Sequence, residues 1–533
     1  MVFVMKRIGL KLLAGAMIFG VVHTSNLLAA PADVLIVAGP RTPESLDPAY
    51  PPTEAVHEAR RNIYDRLLVY KMQKDEKSGA LVENFDELEG ALAESHEVGP
   101  DYKTITFHLR KGVKSPAGNE MTADDVMWSF EAGWASRATF HWYMSEFLKI
   151  KDLNAFEKLD DYTVRVTLPD PSLLIDKIWA NSDIVIIDSK AAKEHATADD
   201  PYAARYLATH SASFGPYYVE KFAPGKEVIY SANPNYYRGE AELKKVIFRE
   251  IPTSSNRLAA LSGGAVDVAE WLTPREIALA KRSPKLHVWQ VFGNYSHWIE
   301  INTTIAPLDD QKVRQALNYL IPREAIMKSV YADTARETKS IIAEVYPDYT
   351  ERNFHYSYDL DKAKQLLQEA GVTDGTKIEL AYRNDEPVEE EIAVILSSVF
   401  KKAGIDLVLS KLPAASLVNR YKEGSIAMFF RRDMAIVPDS AYSANLFVNS
   451  NSWVNYTRYK NEEIDKLINK SLISTDRESR SKDMKKVQDL AIDGAPWIFL
   501  FNPGYQLVTN RSVKSYSWYT PNGNSWYDFS KGK

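Results

Sequence analysis

The strongest constraint on this chain is the unbroken alternation of its segments. From residue 34 to residue 501, strand-like stretches take turns with stretches of helical spacing, and no low-complexity tract or long Gly/Ser linker interrupts them. Such alternation builds a mixed α/β protein, in which helices cover sheets. At 533 residues the chain is too long for one growing hydrophobic core, so it divides into two or more lobes. Without linkers, those lobes are joined by short strands rather than strung on tethers.

Residues 34–38 (VLIVA), closed by Gly39 and Pro40, read as a buried strand and a turn. Residues 54–70 have helical spacing, with Ile63, Leu67 and Leu68 on one side, while 102–109 and 162–168 alternate as half-buried strands. Thr122, followed three residues on by Asp125, predicts a capped helix start; Asp124 and Asp125 there satisfy amides and dipole more simply than they serve as paired catalytic acids. Buried strands are expected at 184–187 and 246–248. Further on, helices are expected over 310–320, 359–370, 389–403, 462–471 and 480–493, and strands over 378–382, 405–409 and 497–501.

The N-terminus has Lys6 and Arg7, then an apolar stretch from Ile8 to Val22, then Ala30, Pro31 and Ala32 in a small-x-small pattern. This predicts a cleavable secretion signal over 1–32, a mature protein starting near Asp33, and a periplasmic location. The alternative, an uncleaved anchor, suits it less, because Lys11 and His23 interrupt the run. No later stretch offers about 18 uncharged apolar residues, so no stable membrane insertion is expected.

Composition excludes several chemistries. There is no cysteine, hence no disulfide, thiolate metal site, Cys nucleophile or lipidated N-terminal Cys. The formal charge is −6, and without the three positive charges of the first 30 residues the remainder stands at −9. An acidic body without basic tracts argues against nucleic acid as a partner. Phosphate-cradle, dinucleotide, nucleophile-elbow and zinc-helix motifs are all missing, and the ten His are scattered. Neither catalysis nor a cofactor is expected.

The order of segments is itself informative. SLDP at 45–48, IYDRL at 63–67, TFHLRKGVK at 106–114, TADDV at 122–126, FGPYYVEKFAPGKEV at 214–228 and NPNYY at 233–237 are followed by RLAALSGGAVDVA at 257–269. The second half adds VRQALNYLIPREAI at 313–326, YDLDKAKQLLQEAG at 358–371 and YKNEEIDKLI at 459–468. In this order the chain resembles the family 5 bacterial extracellular solute-binding proteins, the peptide- and nickel-type receptors of ABC importers. The resemblance implies an α/β, two-lobed periplasmic-binding-protein fold with a hinge and an extra domain inserted in the first lobe. Domain I would comprise 33–75, 185–292 and 498–533, domain II 76–184, and domain III 293–497, with hinge strands near 295–302 and 497–502. It implies a monomer that captures a short peptide or peptide-like amino-acid derivative and delivers it to the permease subunits of a transporter. Another solute, such as an opine-like anion, an oligosaccharide, heme or a nickel chelate, is the alternative in the same fold; a periplasmic hydrolase or peptide chaperone is a third.

Ligand contacts follow from the resemblance position by position. Phe430, three residues before Asp433, matches the pattern in which an Asp binds the ligand's α-ammonium; the other reading is that Asp433 merely pairs with Arg431 or Arg432. Those two arginines depart from the family's small or neutral residues, and the register around Pro438 also admits a slip towards Asp439. An arginine facing the cleft would favour an anionic ligand; otherwise the pair is a solvated loop. Thr53 and Glu54 fall where relatives run along the ligand backbone, although Glu54 also reads as the first-turn acid of its helix. Trp271 and Trp298 resemble cleft-lining positions, and Trp142 and Tyr143 would cover the ligand from outside, each against a competing reading as core.

Overall fold

The computed structural model describes residues 31–533 other than 52, 522 and 533. The secretion signal expected over 1–32 therefore lies, but for its last two residues, outside the described residues.

Two sheets carry the lobes. In the first, seven strands run in the order Leu286–Val291, Tyr505–Asn510, Val268–Ala269, Val34–Gly39, Lys245–Glu250, Glu227–Ala232 and Tyr217–Ala223. The apolar strand at its centre, Val34–Gly39, is parallel to both of its neighbours. Buried on one face and at least half-buried on the other, it has the continuous hydrophobic run that such a position demands. The second sheet has the order Arg336–Glu337, Trp497–Asn502, Ser296–Ile301, Met428–Asp433, Thr376–Arg383 and Ile405–Leu412. Four-stranded sheets are formed by Ala93–Val98, Thr104–Leu109, Thr163–Thr167 and Phe156–Asp160, and by Leu68–Lys74, Leu81–Gly90, Ser517–Tyr519 and Gly523–Asn524.

The chain passes between the two large sheets at Leu286–Val291 to Ser296–Ile301 and again at Trp497–Asn502 to Tyr505–Asn510. In the second sheet these crossing strands are antiparallel neighbours, with Ile299 opposite Ile498. The return crossing is a tight turn in which Gly504 has φ 67°, a conformation that L side chains rarely adopt.

Local chemistry explains most element ends. Thr122 and Asp125 form the expected capping box, and Asp125 Oδ1 also accepts from Ser189 N at 2.9 Å, which ties that helix to the first lobe. The helical spacing over 54–70 is only half realised. The helix Glu54–Ile63 stops at Tyr64, and a strand begins at Leu68. Leu67 and Leu68 are buried, but in the core beneath the four-stranded sheet of residues 93–167, which falls in sequence between the first-sheet strands Val34–Gly39 and Tyr217–Ala223 and is here called the inserted sheet, rather than along a helix face. That core is continuous with the second lobe: Phe107, Phe130 and Trp179 belong to the same buried cluster as Trp298, Tyr442, Phe447 and Trp497. Among the described residues no helix is long and apolar enough to cross a membrane.

Candidate functional site

A cavity of about 540 Å³ lies between the two large sheets, a size suited to a small organic solute. The first lobe contributes Arg41, Glu54, Arg257, Trp271 and Tyr505 to its wall, and the second contributes Tyr295, His297, Arg383, Glu386 and Arg432.

On the first-lobe side, Thr53 caps the helix Glu54–Ile63, its Oγ1 accepting from Val56 N at 3.3 Å and donating to Glu44 Oε2 at 3.0 Å. Glu54 is the first-turn acid of that helix and also stands on the cavity wall. Trp271 has φ 52°, an unusual conformation for a bulky residue, and packs edge-on against Tyr505 at 5.5 Å. Arg257 holds this strained turn, donating to the carbonyls of Ile251, Pro252, Glu270 and Trp271 at 2.6–2.8 Å.

On the second-lobe side, strand geometry sends Arg431 and Arg432 to opposite faces of Met428–Asp433. Arg432 reaches the cavity, where it pairs with Glu386 and has Nε 3.9 Å from Glu389 Oε1. Arg383 stands beside it, paired with Asp385 at 2.7 Å. Arg431 turns away: Nη1 meets Glu300 Oε1 at 2.6 Å, Nη2 meets Asp433 Oδ2 at 2.6 Å, and the guanidinium lies 4.8 Å from the centre of the Tyr456 ring.

Asp433 thus pairs with Arg431 and is absent from the wall of the large cavity. It lines a pocket of about 20 Å³ with Asn294, Ser296, Trp298, Ser340 and Phe447. Its side chain remains 37% exposed, and among the described residues Oδ1 takes only the Met434 amide, at 2.8 Å. Asp439 is buried and fully engaged, capping the helix Ser440–Val448 and pairing with Arg480 and Lys177. In the alternative register the anchor would be this engaged carboxylate.

The aromatic expectations divide. Trp271 is on the cavity wall. Phe430 faces the buried core of the second lobe, and Tyr143 is buried against Tyr442, so both are core packing where ligand contact was expected. Trp298 is buried and stacked on Trp497 at 4.3 Å, walling the small pocket instead of the large one. Trp142 is half-buried and meets the exposed Trp453 at 6.0 Å, joining the inserted sheet's helices to the second lobe.

The sequence model of bacterial extracellular solute-binding proteins, family 5 Middle, matches residues 87–455, more than half of the chain. The chain belongs to this family. Among curated relatives it is 28% identical over 501 residues to the probable D,D-dipeptide-binding periplasmic protein DdpA of Escherichia coli, covering 92% of each chain. It is 29% identical over 459 residues to heme-binding protein A of Haemophilus influenzae, covering 82% of this chain and 81% of the relative. Among solved structures it superposes on the periplasmic binding protein DppA of Helicobacter pylori, in complex with the peptide STSA, with a TM-score of 0.80 and 26% identity, covering 94% of this chain and 98% of that one. The two-lobed architecture is that of periplasmic binding proteins.

In this family member several residues on or behind the cavity wall escape a sequence reading. Arg383 sits at the end of the expected strand 378–382, and strand ends border the crevices where α/β proteins bind ligands, so a signal for it existed. Glu58 and Glu270 carried none. They are distant in sequence, yet the amide of Asn524 brings them together, donating at 3.1 Å to Glu58 Oε2 and at 2.5 Å to Glu270 Oε1.

Burial raises the pKa of both carboxyls, and their mutual proximity raises that of Glu58 further. The folded state therefore holds protons that the unfolded state releases above the ordinary value of 4.5, so this pair's contribution to stability falls as pH rises through that range. Glu270→Gln should flatten the decline: relative to the parent it should gain stability at about pH 7.5 compared with about pH 5. Urea midpoints at both pH values measure this, and an unchanged pH dependence would overturn the reading.

Proposed function

We propose that the chain is the periplasmic receptor of an ATP-driven importer. It takes a short peptide or peptide-like amino-acid derivative between its lobes and passes it on chemically unchanged to permease subunits. The observation that carries this reading is a cavity of ligand size whose walls come from two sheets joined by only two crossings. Closure about such crossings buries a ligand and changes the surface offered to a partner. The lobes are 33–75, 185–292 and 498–533 on one side and 293–497 on the other, with 76–184 inserted in the first, and a secretion signal at 1–32 takes the protein to the periplasm.

In this reading Arg432 and Arg383 attract the ligand's carboxylate, the backbone beside Thr53 and Glu54 runs along the peptide, and Asp433, which stands outside this wall in the present arrangement of the lobes, takes the amine through Oδ1 once the lobes close on the ligand. The peptide-binding relatives support the choice of ligand class. Native mass spectrometry of the protein isolated from its own cells should reveal a bound peptide or amino-acid conjugate. Heme, a sugar or a metal chelate there would overturn the peptide assignment. With the peptide identified, Asp433→Ala should weaken its binding about tenfold or more, the worth of one charge-assisted hydrogen bond; unchanged affinity would remove Asp433 from the site.

A further inference from the structure

A pocket of about 40 Å³ that shares no wall residue with the large cavity lies where the helix Glu54–Ile63, the strand Leu68–Lys74 and the C-terminal residues Tyr519 and Tyr527 meet. Three arginines stand on its wall: Arg61 and Arg66, 6% and 5% exposed, and the exposed Arg238. Among the described residues none of the three guanidinium groups has an ion-pair partner. Of all their donors only Arg61 Nη2 is taken, by the carbonyl of Thr520. Arg61 Nε and Nη1 and Arg66 Nε are shut off from solvent without an acceptor among the described residues. Aromatic faces hold two of the groups in place, the Arg61 guanidinium 4.5 Å from the centre of the Tyr519 ring and that of Arg238 5.2 Å from Tyr527.

The acids of this region are occupied with other donors. Asp65, on the wall, accepts from the Arg66 amide at 2.9 Å and from the hydroxyls of Tyr236 and Tyr237 at 2.9 and 3.2 Å. Glu83 accepts from Thr520 N at 2.8 Å, and Asp528 from the hydroxyls of Ser517 and Tyr519 at 3.0 and 2.8 Å. Glu89, also on the wall, is exposed. Burial and, after it, the like charge of Arg66 bring the Arg61 pKa down to about 10, with Glu83 and Asp528 opposing that only in part.

A guanidinium taken out of water without an acceptor is strongly unfavourable. Its planar fork of donors matches the oxygens of a phosphate, and an anion also relieves the repulsion between neighbouring arginines. Water would accept from these donors but brings no negative charge. At roughly 10–15 Å³ for each water, the volume admits about three waters or one tetrahedral ion.

We propose that this pocket binds one tetrahedral oxyanion, a phosphate or sulfate group, between Arg61, Arg66 and Arg238. The site is separate from the solute cavity and independent of what that cavity captures. A bound anion ties together three segments that are distant in sequence, and so stabilises the folded chain by mass action.

Sodium phosphate is titrated calorimetrically into the full-length mature protein, with sodium chloride holding the ionic strength constant; sodium sulfate and glycerol 3-phosphate are titrated in parallel. The parent should bind phosphate saturably. Arg238→Met and Arg66→Met should each weaken that binding about tenfold or more, the worth of a charge-assisted contact. Glycerol 3-phosphate binding as well as phosphate points to a group carried on an organic molecule; binding of phosphate and sulfate alone points to the free ion. In phosphate-free buffer Arg66→Met should unfold at a urea concentration no lower than the parent, because it removes an unpaired buried charge. A lower midpoint there would make Arg66 a structural residue and overturn its part in the site. Arg238 is exposed, so its variant decides the matter even if Arg66→Met does not fold. Phosphate affinity unchanged in Arg238→Met, or no saturable phosphate binding by the parent, would overturn the proposal.

Discussion

Arg431→Met should destabilise the fold by about 3–5 kcal/mol, the usual loss when one partner of a buried ion pair is removed. Glu300 lies on the crossing strand Ser296–Ile301, is buried, and keeps only a long 3.4 Å contact from Trp298 Nε1 once Arg431 is gone. Its other oxygen already has no partner among the described residues. Burial raises the Glu300 pKa even with the arginine in place, so the lone carboxyl takes up a proton and part of the loss is relieved that way. The same substitution frees Asp433 Oδ2 and removes the donor to the Val454 carbonyl. Adding Glu300→Gln should recover much of the stability, because a neutral amide no longer demands a counter-charge. Urea unfolding of the single and double variants decides it: a single-variant loss below about 1 kcal/mol would show that Arg431 is an ornament of the strand rather than its counter-charge.

The alternation of patterns was enough to read an α/β protein with lobes joined by strands, because burial imposes its period on each segment separately. The strand Val34–Gly39 and the capped helix at Thr122 are examples, since their signals lie within a few residues of one another. The helix Glu54–Ile63 shows the limit. Ile63, Leu67 and Leu68 are all buried, the first in the first-lobe core and the two leucines in the core beneath the inserted sheet, but whether the chain reaches the second core as helix or strand depends on sheet partners elsewhere in the sequence.

Site residues were legible in proportion to how local their chemistry is. Strand alternation alone dictates that Arg431 and Arg432 part company, but not which of them meets the cavity. That depends on the neighbouring strand Ser296–Ile301 and on the helix Pro387–Lys402, whose start supplies Glu389 beside the loop residue Glu386. Glu58, Glu270 and Asn524 converge from three distant segments, and no spacing rule joins them.

Asp439→Asn should destabilise by a similar amount, about 3–5 kcal/mol at neutral pH, although the change is only an oxygen for an amide. Asp439 is 1% exposed and accepts from the backbone N–H of Ala441 and Tyr442, both at 3.0 Å. It also pairs with buried Arg480 and, at 3.4 Å, with Lys177. Those cations hold its carboxyl well below the ordinary 3.8 despite burial. A depressed folded value means that the contribution is present in full above the ordinary pKa and is lost as pH falls below it, so the gap between parent and variant should close in acid. Asparagine is itself a good helix cap, so Asp439→Ala should add about 1 kcal/mol more, and the difference between the two variants separates cap from charge. Because Lys177 lies beside the inserted sheet while Arg480 belongs to the helix Arg477–Gly494 of the second lobe, Asp439 joins those two bodies. Amide hydrogen exchange should therefore speed up in the Asn variant along both Lys177–Ala180 and Ser440–Val448; acceleration confined to the latter would reduce Asp439 to a helix cap.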